Sequence, residues 1–113
     1  MSTIRNKTQL IGNVGDAPAT TTLESGKKVT RFSLATNEFF KTKDGEKKQD
    51  TQWHNIVAWG RNAEIIEKYV DKGKEVAVEG KLTHRQYETQ NGEKRTVTEV
   101  VVNEILLLRD KSE

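Results

Sequence analysis

The sequence predicts an all-β domain with one helix: a five-stranded Greek-key barrel whose helix lies between strands 3 and 4. Three observations predict it. Apolar and polar residues alternate along most of the chain, the period of a half-buried strand. One segment, Asn62–Asp71, changes to a helical period. Two long alternating runs follow it, joined by Asn91-Gly92, a strong short-range hairpin signal.

The elements follow in order. Asn6–Val14 is a first strand, ended by the breaker Gly15-Asp16-Ala17-Pro18. Thr20–Leu23 and Val29–Thr36 flank Glu24-Ser25-Gly26-Lys27-Lys28, which reads as a hairpin turn. Phe39–Asp50 is so polar around Asp44-Gly45 that it reads as a long hairpin loop or a mobile insertion. Gln52–Gly60 is a third strand. In Asn62–Asp71 the residues Ala63, Ile66 and Val70 form an apolar stripe, widened by Ile65 and Tyr69, and Gly73 supplies a left-handed helix end. Glu75–Glu88 and Lys94–Leu107 are the closing strands.

If Asn91-Gly92 are the two loop residues, Glu88 faces Arg95, Tyr87 faces Thr96 and Arg85 faces Thr98. Leu82, Val97 and Val101 then share one sheet face, and Lys81, Arg85 and Tyr87 share the other. Three strands, a helix and a two-stranded hairpin is the order of the OB-fold. An SH3-like barrel would not need the helix, and a ferredoxin-like fold would need two.

At 113 residues the chain fits one domain, expected over residues 1–108, with 109–113 a short C-terminal end. Apolar residues are 33% and charged residues 32%, so the core is small. Either the barrel is narrow or burial between subunits adds to it. The net charge of +2 selects no partner, so the distribution of charge matters more. Without cysteine there is no disulfide, thiolate metal site or thiol nucleophile. The longest run of Val, Ile and Leu is Ile105–Leu108, and Met1–Asn6 lacks the apolar core of a signal peptide. These features predict a soluble, cytoplasmic protein.

Enzymatic readings lack parts. The two histidines, His54 and His84, belong to no triad or metal-ligand spacing, and Gly12, Gly15 and Gly26 form no phosphate loop. No catalytic residue, metal or cofactor is expected.

Binding readings have parts. In Gln52–Gly60 one parity holds Trp53, Asn55, Val57 and Trp59, and the other holds His54, Ile56 and Ala58. Tryptophans are commonly core residues. Here the smaller His54-Ile56-Ala58 face suits the inside of a narrow barrel, which puts both indoles outside. An exposed Trp pair beside Lys81, Arg85 and Tyr87 is a platform on which bases stack while cations hold phosphates. Phe32 and Tyr69 read as core. Of the adjacent Phe39 and Phe40, one can be core and the other exposed. Lys41, Lys43, Lys47 and Lys48 make the polar loop either a solvated hairpin or a basic arm over a strand of nucleic acid. Lys7, Arg31, Arg61 and Lys72 are further candidates for phosphate contact.

Ile11-Gly12-Asn13-Val14-Gly15, Leu34-Ala35-Thr36, Thr51-Gln52-Trp53-His54, Trp59-Gly60, Val78-Glu79-Gly80-Lys81-Leu82 and Thr98-Glu99-Val100-Val101-Val102 resemble the bacterial single-stranded DNA-binding proteins. The likeness runs from Asn6 to Asn103, with the motifs in order. It implies stacking by Phe40, Trp53, Trp59 and Tyr87, and phosphate contacts by Lys7, Arg61, Lys72 and Arg85. It also implies a subunit-interface place for His54, a homotetramer, and coating of single-stranded DNA in replication, recombination and repair near the nucleoid. Two departures stand out. Phe40 and Tyr87 occupy positions where better-known relatives have tryptophan. The sequence ends at Arg109-Asp110-Lys111-Ser112-Glu113, without the family's acidic tip that recruits replication and repair proteins. Rival readings are a dimeric OB-fold primosome accessory protein, a protein-interaction OB-fold with its tryptophans in an interface, and an RNA binder.

Overall fold

The computed structural model describes residues 4–109; most of the expected short end at 109–113 lies outside the described residues. A 3-10 turn, Ile4–Asn6, precedes β1 (Thr8–Val14), β2 (Ala19–Thr22), β3 (Lys28–Lys41), β4 (Lys47–Trp59), α1 (Arg61–Tyr69), β5 (Glu75–Glu88) and β6 (Lys94–Arg109). The strands form one sheet in the order β1-β5-β6-β4-β3-β2. Asn13 and Val14 of β1 also pair with Ala35 and Leu34 of β3, which closes five strands into a barrel. β2 pairs with β3 outside that circuit. β4 and β6 run parallel, and α1 joins the third barrel strand to the fourth. This is the connectivity of an OB-fold.

The alternation predicted from sequence fills the barrel. Phe32 and Leu34 of β3, Ile56 and Ala58 of β4, Val76 and Val78 of β5, and Val100 and Val102 of β6 form one buried cluster. Ile66 of α1 and Val70 just beyond it belong to the same cluster. Ile66 is fully buried, so Ile66→Val is expected to cost about 0.5–1.5 kcal/mol in urea unfolding. Among the described residues no helix is long and apolar enough to cross a membrane.

Four expectations are corrected. The helix ends at Tyr69, because Val70 turns extended and drops into the core. Gly73 has positive φ, but it serves the following turn, where Lys74 N–H donates to the Asp71 carbonyl. Tyr69 lies at the edge of the apolar stripe and is exposed under Lys68 Nζ, 5.5 Å from its ring centre. Phe39–Asp50 is no open loop. Its two halves continue β3 and β4 as a paired arm out to Lys41 opposite Lys47, with Thr42–Glu46 as the turn. Both Phe39 and Phe40 are exposed there, so neither is core. Both sides of such an arm are wet, so its strands need no apolar alternation.

The fourth correction is the register of the last hairpin. Thr89 N–H donates to the Glu93 carbonyl, leaving three loop residues, Gln90, Asn91 and Gly92. Only Gly92 has positive φ, as in a type I turn followed by a glycine bulge. Tyr87 therefore faces Arg95, and Arg85 faces Val97. A one-residue slip exchanges faces. Val97 and Val101 join Lys81, Arg85 and Tyr87, while Leu82 pairs with Val100 on the inner side.

Candidate nucleic-acid interface

The outer wall is read off the ladders. Arg31 of β3 lies opposite Val57 of β4, Val57 opposite Val101 of β6, and Val101 opposite Lys81 of β5. The parallel row places Asn55, Glu99 and Thr83 side by side. Directly paired residues share a face, so Arg31, Trp53, Trp59, Lys81, Arg85 and Tyr87 occupy one continuous wall. The inward partners on β4 are Ile56 and Ala58, as the parity argument requires.

Trp53 is 62% exposed. Its ring edge leans on the backbone of Gly15, where an added Cβ would overlap Trp53 Cζ3 and Ser33 Oγ. A side chain at that position would collide with the indole, so glycine there leaves room for Trp53. Trp59 is also exposed, with Lys27 Nζ 5.5 Å from its ring centre. Arg85 stands 6.0 Å over the ring of Tyr87.

A carboxylate organises the centre. Glu99 is only 7% exposed. Its Oε2 accepts from Arg31 Nη1 at 2.6 Å, and its Oε1 and Oε2 accept from Arg85 Nε and Nη2 at 3.1 and 3.3 Å. The hydrogen bond from Arg85, and then the charge of Glu99, hold the Arg85 guanidinium above its ordinary pKa. Each arginine keeps further N–H donors for an anion, because a guanidinium carries five. An open groove passes here, lined by Arg31, Asn55, Val57, Arg85, Val97 and Glu99 among others. Sequence reasoning missed Glu99. Its one signal is a lone acid in the apolar run Val97–Val102.

Other candidates sit apart. Phe40 pairs with Lys48 on the opposite face of the arm from Trp53 and is 52% exposed. Lys43 is in the turn at the arm's tip. Arg61 opens α1, and Lys72 lies in the turn before β5. Lys7 precedes β1, with its Nζ 3.5 Å from Glu79 Oε2. His54 is half-buried on the inner side, its Nε2 2.9 Å from Thr36 Oγ1.

A closed OB barrel with an outward wall of aromatic and cationic side chains defines the class: an OB-fold of the single-strand-binding kind. The chain belongs to the Single-strand binding protein family, whose model matches residues 5–108. It is 40% identical over 107 residues to Single-stranded DNA-binding protein 1 of Chlorobaculum tepidum, covering 94% of this chain and 66% of that one. It is 39% identical over 108 residues to the Single-stranded DNA-binding protein of Xanthomonas axonopodis pv. citri, covering 96% and 60%. The chain thus spans about three-fifths to two-thirds of the length of these curated relatives. A Plasmodium falciparum SSB solved in complex with ssDNA superposes with a TM-score of 0.84 at 38% identity, covering 96% of this chain and 98% of that one.

Proposed function

We propose that this protein binds single-stranded DNA without reading its sequence, and coats and protects it in replication, recombination and repair. The observation that carries the reading is the single outer wall holding Trp53, Trp59, Tyr87, Arg31, Lys81 and Arg85. Bases stack on the rings, and every base has a π-face, so no sequence is preferred. Cations take the phosphates and release counterions. Phe40, Lys7, Lys43, Arg61 and Lys72 extend the path beyond the wall in this reading. The mechanism is binding, with no bond made or broken.

The working form in this reading is a homotetramer in the cytoplasm, associated with the nucleoid, with His54 at a subunit contact. Ile11 and Leu106 are exposed around an open apolar groove on β1, β5 and β6, surface that a second copy would cover. Sedimentation at micromolar concentration tests this, with a mass of four chains expected.

Competition binding tests the function. Labelled oligo(dT) is expected to be displaced by any unlabelled DNA single strand and not by duplex. Displacement by duplex as readily as by single strand would contradict the reading. Tyr87 offers less stacking area than indole, so Tyr87→Trp is expected to tighten oligo(dT) binding by up to about 1 kcal/mol, read from the same titration.

A further inference from the structure

We infer that Phe39 is a further base-stacking residue, which carries the stacking line of the barrel wall out along the β3–β4 arm. The inference rests on the proposed single-strand binding and adds a residue that neither the sequence reading nor the family likeness assigns to the site. Phe39 pairs with Gln49, and Ala35 pairs with Trp53 four residues further along β4. Phe39 and Trp53 therefore stand on the same face of one ladder. Side-chain contacts on that face agree. Thr51 Oγ1 donates to Asn37 Oδ1 at 2.6 Å, and Gln49 Nε2 donates to Asn37 Oδ1 at 2.9 Å and to Thr51 Oγ1 at 3.2 Å. These three locked polar residues make a floor between the two rings.

Along β4 the order is thus Trp59, Trp53, then Phe39 across the ladder. At the rise of a strand the gaps are about 20 Å and about 13 Å. Phe39 is 75% exposed, and it shares a surface groove with Phe40, Lys41 and Lys47. An open ring with ammonium groups beside it meets both needs of single-strand binding, a π-face and a phosphate partner. By ladder parity it is Phe39, not Phe40, that falls on the face of Trp53.

The test uses oligo(dT) of roughly 16 nucleotides, the upper site size for one OB-fold. Phe39→Ala is expected to weaken binding about fivefold or more, and its urea midpoint is expected to match the parent's because the ring is exposed. Phe39→Trp is expected to keep or raise affinity, and the emission of the added indole is expected to be quenched by the oligonucleotide. Parental affinity in Phe39→Ala together with unquenched added emission in Phe39→Trp, while Trp53→Ala still loses affinity, would overturn the inference and leave the function standing. A parent protein that does not bind oligo(dT) would overturn both.

Discussion

Trp53→Ala is expected to weaken oligo(dT) binding by about 5- to 150-fold without unfolding the protein. The range corresponds to about 1–3 kcal/mol per stacked base, the value alanine substitutions give for single-strand binders, this family among them. Trp53 should lie at the upper end. Its indole is 62% exposed, with its ring edge against Gly15. The same exposure makes the change cheap for folding, since little buried area is lost. Urea unfolding and oligo(dT) titration of one preparation separate the two effects. A variant that fails to fold would make Trp53 a core residue and reverse the assignment of faces on β4.

Raising salt from 50 to 200 mM is expected to lower affinity by about 50- to 300-fold. The estimate takes about four to six phosphates neutralised, each contributing a slope of about −0.7 in log K against log salt for single strands. Seven candidate cations are available, but Arg31 and Arg85 share the carboxylate of Glu99, so fewer than seven full charges act. Fluorescence titration at four salt concentrations gives the slope. A flat response would remove the cations from the account and leave stacking alone.

The barrel and the Trp face are legible in the sequence for a steric reason. A strand alternates sides at every residue, so placing Ile56 and Ala58 inside forces Trp53 and Trp59 outside. The hairpin register is not legible to one residue. Asn91-Gly92 can fill a two-residue turn, but here the Thr89 hydroxyl accepts from Glu93 N–H, and glycine takes the bulge position of a three-residue loop. The turns at Gly26 and Gly45 close in the same way, each glycine donating to the residue three before it with φ of 91° and 83°. The arm escapes a hydrophobicity pattern because water covers both of its sides. Glu99 is visible as an acid in an apolar strand. That β3 and β5 each bring an arginine to it depends on pairings between residues 14 to 68 positions apart, which no local pattern holds.

The most direct test of the stacking wall is intrinsic tryptophan emission titrated with oligo(dT), oligo(U) and duplex DNA at low and high salt. The account predicts strong quenching by oligo(dT), weaker at high salt, and none by duplex. Emission that none of the three changes would place Trp53 and Trp59 away from any nucleic-acid surface and contradict the account, leaving a protein partner as the occupant of that wall.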